Sequence, residues 1–335
     1  MITPIPFATW LAAIATALAL PAAAAEILAP GNFPSVQAAI DSAKPGDTVL
    51  LSAGIYREQL TVAADVKLRS AGDATLGRIG IARTEATVID AGGKAPAVIL
   101  LQGASLDGIT VTGAGRFDQK VFDQHHAQRG ENLADHHGAV GTNGSSAAIS
   151  INGVDATVTN CIVHDNGHPG IGVIGPGRAV VQDNLVYRNM GGGIGIADGA
   201  LAQVSNNHCW KNLRAGIGCR NSFPTIVNNH CYENVRAGIG IREGASPEVY
   251  SNHCYKNRRA GIGVRMKGSE PRIFANQCYE NGMAGIGCRD HLQQRVLQKP
   301  TRRHWSDGQC PPKYRRQPAL RERGRSNRAR RLRVR

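Results

Sequence analysis

Six segments decide the fold: VHDNGHPGIGVI (163–174), VYRNMGGGIGIA (186–197), CWKNLRAGIGCR (209–220), CYENVRAGIGIR (231–242), CYKNRRAGIGVR (254–265) and CYENGMAGIGCR (278–289). Their starts lie 23, 23, 22, 23 and 24 residues apart, too short a period for a helical hairpin and without an amphipathic helical stretch. Gly and Pro recur where they would weaken a helix. From Gly238 one coil reads as three extended pieces, GIGIR, PEVY and HCYKN. They are divided by the turns EGAS and Ser251-Asn252, and RRA leads into the next coil. Three strands per coil, with coils in register about 4.8 Å apart, make three parallel sheets. The crossover rule winds them right-handed. The fold class is all-β, a right-handed parallel β-helix with three parallel sheets.

The same register predicts ladders. Asn184, Asn207, Asn229, Asn252 and Asn276 recur at one turn, and Asn166, Asn189, Asn212, Asn234, Asn257 and Asn281 at another. Asn tolerates the left-handed conformation of a tight turn, and its amides can stack from coil to coil. Alternation turns Ile239 and Ile241 inward and Gly238 and Gly240 outward, so the outside of that sheet is bare backbone. In the third piece Cys231 points inward, His230 and Tyr232 outward.

Upstream, FPSVQAAIDSA (33–43) has helical spacing and is expected to cap the N-terminal end of the solenoid. PGDTVLLSAGIYREQLTV, ADVKLRSAG, EATVIDAGG and AVILLQGASLDGITVTGAG then read as strands broken by turns. This opening, with its cap and its PGDTV…AGIYRE turn, resembles pectate-lyase-like β-helix proteins of the carbohydrate-binding and sugar-hydrolysis type. It is also similar to the periplasmic copper-associated β-helix protein of nitrous-oxide reductase maturation. The resemblance implies the fold; the activity stays open, because such solenoids serve lyases, hydrolases, epimerases, binders and adhesins. The β-helix is expected over 26–290, with irregular coils at 26–160, an insertion at 116–146 and regular coils at 161–290.

The two ends read differently. Residues 1–25 combine an apolar run from Phe7 to Leu20 with a string of alanines, a secretory signal cleaved near Ala25, although no Lys or Arg precedes the run. That predicts a periplasmic or secreted protein with no membrane span after cleavage. The formal net charge is +14, yet residues 291–335 hold 15 Lys/Arg against Asp307 and Glu322, and the other 290 residues net +1. No nucleic-acid partner is therefore expected for the folded part. The tail is off the repeat. Read one base out of frame, codons for QQRVLQKPTRRHWS (293–306) can encode SNACYKNRRAGIG, nearly SNHCYKNRRAGIG at 251–263. A frameshift just after Asp290 is the expectation, with a basic polyanion-binding arm as the alternative. A solenoid cut there would leave a core end open and prone to end-to-end self-association.

Candidate chemistry follows the columns. An outward aromatic row (Tyr187, Trp210, Tyr232, Tyr255, Tyr279) suits stacking on sugar rings, or packing of strand on strand. Arg220, Arg242, Arg265 and Arg289 border the glycine face and suit an anionic chain such as a uronate polymer, or pair with acidic turn residues such as Glu243 and Asp290. His208, His230 and His253 form a column that can ligate copper or zinc, or simply stack in solvent. Cys209, Cys231, Cys254 and Cys278 stack inside one sheet, and Cys219 and Cys288 inside another, as disulfides or as buried thiols. The insertion gathers His125, His126, His136 and His137 with Asp123 and Asp135, candidates for proton transfer or metal binding, or a plain polar loop. His164, Asp165 and His168 sit in the first clear repeat. The cofactor these groups admit is a divalent metal (Ca, Cu or Zn), with none singled out. The expected partner is a polysaccharide, bound or processed by lyase, epimerase or hydrolase chemistry. The competing reading is a periplasmic metal-binding or scaffold protein without catalysis.

Overall fold

A computed structural model describes residues 23–127, 147–266 and 268–288 and the backbone of 295–296. It is a right-handed parallel solenoid of three sheets, one of 11 strands and two of nine. The valine sheet contains Thr157–Thr159, Val180–Gln182, Gln203–Ser205, Thr225–Val227, Glu248–Tyr250 and Arg272–Phe274. The chain then turns into the His-Cys-Tyr sheet, with His208–Trp210, His230–Tyr232, His253–Tyr255 and Gln277–Tyr279. It turns again into the glycine sheet, with Ile194–Ala197, Ile217–Arg220, Ile239–Arg242, Ile262–Val264 and Ile286–Cys288. Every pairing in these sheets is parallel and in register, for example Ile217↔Ile239 and Cys209↔Cys231.

Inward side chains form one continuous core. Val204, Ile226 and Val249 fill it from the valine sheet, Cys209, Cys231 and Cys254 from the second sheet, and Ile217, Ile239 and Ile262 from the third, all fully buried. The expected N-terminal cap is helix α1 (Val36–Ser42), started by Ser35, whose hydroxyl accepts from the Ala38 N–H at 3.1 Å. The Glu58 carboxylate accepts from the Val36 and Gln37 N–H groups, and Val36, Ala39 and Ile40 cover the first coil.

The asparagines differ from expectation in one respect. The left-handed residue at each turn is the one before the ladder Asn: Asp183, Asn206, Asn228, Ser251 and Ala275 in one row, Asp165, Arg188, Lys211, Glu233, Lys256 and Glu280 in the other. The ladder Asn itself points into the core, and from Asn184 to Asn252 and Asn166 to Asn234 each is fully buried. Its Nδ2 donates to the Oδ1 of the next coil's Asn at 2.9–3.1 Å. The same Oδ1 also accepts the preceding Asn's backbone N–H, as in Asn207→Asn229. An L-residue in the left-handed region costs about 1–2 kcal/mol. The buried, fully paired amides offset that cost, since unpaired ones would each lose about 1–3 kcal/mol.

Two excursions leave the coils. The first runs through α2 (Ala82–Ala86), whose Arg83, with its side chain 5% exposed, donates to both Asp107 carboxylate oxygens at 3.0 and 2.8 Å and to Ser70 Oγ at 2.7 Å. Asn160 donates to the same carboxylate at 2.7 Å, so the Asp107 charge is met by several donors, while Arg83 Nε stays buried without a partner. The second is the expected insertion between the His-Cys-Tyr and glycine sheets. Its helix α3 (Gln119–Ala127) sets Phe122 against Met190, Leu213 and Val235. Among the described residues no helix is long and apolar enough to cross a membrane. The N-terminal run 1–22, most of the rest of the insertion and the tail past 296 lie outside the described residues.

Candidate functional site

The glycine sheet carries two glycine columns with opposite surroundings. At the corner entering each strand, Gly193, Gly216, Gly238 and Gly261 are packed against the next coil. A Cβ there would stand 2.5–2.9 Å from the following glycine's carbonyl oxygen and 2.8–3.0 Å from an Asn Nδ2. Gly238 is therefore buried at a corner and not on the outer face as alternation suggested. Two residues on, the outward glycines have room. A Cβ at Gly218 would meet nothing within 4 Å, at Gly195 only a carbonyl oxygen at 3.9 Å, and at Gly240 and Gly263 an alanine methyl at 3.4 and 3.5 Å. None of these four has a positive φ. Neither sterics nor dihedrals require glycine there, although glycine weakens a strand.

Arg220 and Arg242 follow this bare face on adjacent coils, in register and about half exposed. Arg220 meets Asp198 at 3.0 Å and Glu243 at 3.8 Å, and Arg242 meets Glu243 at 3.2 Å. Exposed pairs of this kind add little stability, and a guanidinium has five donors, more than these contacts use. Arg265 belongs to the same row by spacing; Arg289 lies outside the described residues.

The aromatic row forms one column of rings. His164, Tyr187, Trp210, Tyr232, Tyr255 and Tyr279 stack with centroids 5.0, 4.2, 5.7, 4.9 and 5.0 Å apart and tilts of 17° or less. Within the column each ring face is covered by a neighbouring ring, so the edges meet solvent, an arrangement for strand-on-strand packing. Burial pushes the Tyr187, Tyr232 and Tyr255 hydroxyls above the usual phenol range.

His208, His230 and His253 stack likewise at 4.7 Å, tilted 8° and 19°. Burial lowers the pKa of His208 and, with its histidine neighbours, that of His230. Parallel rings send their nitrogens in parallel directions. Two ligands of one zinc ion at about 2.0–2.1 Å lie no more than about 4.2 Å apart. Among the described residues no group of three or more His, Cys, Asp or Glu side chains converges as a metal would need. The seven described cysteines are all buried, with no disulfide between any two of them, and burial pushes the Cys161 and Cys219 thiols up to about 12.

Of the insertion residues, His125 and His126 close α3, and Asp123 accepts from Gln119 at 2.7 Å. His126 stacks on Phe122 with centroids 5.8 Å apart, and burial, then Arg258 and Lys211, lowers its pKa. Asp135, His136 and His137 lie outside the described residues. A polar relay at the foot of the helix includes Arg188, which the sequence reading did not single out. His164 Nδ1 and Asp165 Oδ2 are 2.8 Å apart, and Arg188 Nε donates to Asp165 Oδ1 at 2.7 Å and its Nη2 to Gln119 Oε1 at 2.6 Å. Arg188 also lies over Phe117 and Phe122, 5.5 and 4.9 Å from the ring centroids. Burial would raise the Asp165 pKa, but the bonds from His164 and Arg188 hold it below the usual carboxylate range. One signal was available: this coil puts His-Asp where the later ones put an aromatic followed by Arg, Lys or Glu.

Comparison with known proteins gives the fold. The family model described as "Right handed beta helix region" matches residues 135–277 and 222–296. The pectate lyase Pel9A is similar in structure, with a TM-score of 0.51 and 14% identity, covering 83% of this chain and 79% of that one. The A-module of the Azotobacter vinelandii mannuronan C-5 epimerase AlgE4 gives a TM-score of 0.48 and 18% identity, over 78% of this chain and 71% of that one. No curated protein matches the sequence. The resemblance to pectate-lyase-like right-handed β-helix proteins holds at the level of fold.

Proposed function

We propose that this protein is exported and binds or processes a polysaccharide, an anionic one, laid along the glycine sheet. The observation that carries the reading is the outward column Gly195, Gly218, Gly240 and Gly263, where nothing inside the molecule requires glycine. A strand that gives up its side chains without internal cause leaves backbone for something outside to approach closely. The Arg220 and Arg242 guanidiniums beside it supply the charge complement of a carboxylate on every few sugars. Pectate lyase Pel9A, of like fold, is named for an acidic polysaccharide, which accords with the reading. Any proton transfer falls to the α3 excursion and the coils beneath it: Gln119 at its start is tied through Arg188 to the His164–Asp165 pair, Asp123 and His125 follow along the helix, and His126 near its end lies by Arg258, three coils further on.

Binding is tested with polygalacturonate and alginate against neutral glycans, by calorimetry at two salt concentrations. Anionic chains are expected to bind, more weakly at high salt, to be lost in Gly218→Val and to bind five- to tenfold more weakly in Arg242→Ala. Failure of every glycan to bind would overturn the reading. Export is checked separately by N-terminal sequencing of protein from the culture medium or periplasm, with Glu26 expected as the first residue.

A further inference from the structure

The corner where the valine sheet turns into the His-Cys-Tyr sheet carries an open groove of ≈ 340 Å³, lined by Asn206, Asn228, Ser251, His208, His230 and His253. Each of three successive coils contributes the same pair, one imidazole and one turn residue at φ 55–56°. The turn explains Asn206 and Asn228, because asparagine tolerates that conformation. It does not explain the histidines. Leu185 and Gln277 occupy the same column in the flanking coils, so the fold does not demand imidazole there.

The ring spacing selects the ligand chemistry. Equivalent nitrogens in parallel rings are separated by the same translation as the rings, 4.7 Å between centroids. That spacing exceeds the about 4.2 Å at which two nitrogens can share one ion. It suits separate oxygens, one in the plane of each ring, repeating along the column with the rings. A neutral imidazole offers one donor and one acceptor, and a hydroxyl is both. Each ring can meet a hydroxyl of its own, as donor or as acceptor. The Asn228 amide and the Ser251 hydroxyl, which line the same groove, can take neighbouring hydroxyls.

We propose that this groove is a second carbohydrate site, which takes an uncharged, hydroxyl-rich glycan edge-on to the imidazole column. It rests on the reading of the protein as a polysaccharide binder, but uses a different sheet and no arginine. The test is calorimetric titration of the whole chain with cellohexaose and xylohexaose, alongside polygalacturonate and Zn²⁺. Long-range ¹H–¹⁵N spectra of the imidazoles are recorded at each point. His230→Gln and His230→Leu place in the column residues it already accommodates, so both are expected to fold. The neutral hexasaccharides are expected to move the imidazole signals, and both variants to weaken their binding at least tenfold while polygalacturonate binding is unchanged. Arg242→Ala should do the reverse. Imidazole signals unmoved at saturation, neutral binding insensitive to His230→Leu, or a response to Zn²⁺ alone would each overturn the second site. With polygalacturonate still bound, any of these outcomes leaves the glycine-face reading intact; absence of all glycan binding would sink both.

Discussion

Gly216 and Gly218 stand two residues apart in one coil, and their neighbourhoods are opposite. Gly216 is wedged at the corner, where a methyl would stand 2.9 Å from the Gly238 carbonyl oxygen and 2.8 Å from Asn234 Nδ2. Gly218 looks out on open space. The first glycine is dictated by the way coils nest on the Asn ladder. The second is free of any such demand. A repeated Gly-Ile-Gly is therefore two signals in one word, the first about folding and the second about what lies against the sheet.

The largest expected effect tests the first column. Gly238→Ala drives a methyl against the Gly261 carbonyl oxygen and Asn257 Nδ2, and is expected to cost about 1–3 kcal/mol, read as a lower midpoint in urea. Gly218→Val should leave the urea midpoint within about 1 kcal/mol of the parent, or raise it, because valine prefers a strand. The same variant should lose the anionic glycan. If Gly218→Val unfolds the protein, the distinction between the columns fails. Arg242→Ala comes next: a five- to tenfold loss of polyuronate affinity, with stability within about 0.5 kcal/mol, since its ion pair is exposed.

The smallest effect concerns the excursions that flank the faces. Burial works to raise the pKa of Asp107 and of Asp165, but hydrogen bonds hold both below the usual range, from Asn160 and Arg83 and from His164 and Arg188 respectively. A carboxylate with a depressed folded pKa contributes stability that is complete above its unfolded value of about 3.9 and is lost as pH falls through the folded value. Thermal midpoints between pH 5 and pH 2 should therefore fall less steeply in Asp107→Asn and Asp165→Asn than in the parent. An unchanged slope would remove these carboxylates from the acid response.

The fold was legible because the period repeats every contact. Ile239 and Cys231 could be placed inside from alternation alone, and both are fully buried. The outward face was less legible. Alternation treats Gly238 and Gly240 alike, because it counts positions along a strand and cannot see the corner closing on the next coil. It also placed the asparagines at the turns without revealing that the preceding residue bends the chain while the Asn turns inward. The aromatic row was visible as a row, but whether rings offer faces or edges depends on stacking across coils. The tie between Arg188 and Gln119 gave no signal, since the two are 69 residues apart and the excursion follows no period.

The Asn ladders have a direction. Between asparagines each amide donates toward the C-terminal coil and accepts from the N-terminal one, from Asn166 to the last acceptor, Asn281. A stack of this kind has a head and a tail, as a growing crystal step does, and a new layer docks only if it brings a carbonyl to the waiting N–H. Length can then change only in whole layers. Adding or deleting a complete coil restores the hand-over, whereas removing a few residues inside one breaks two ladders at once.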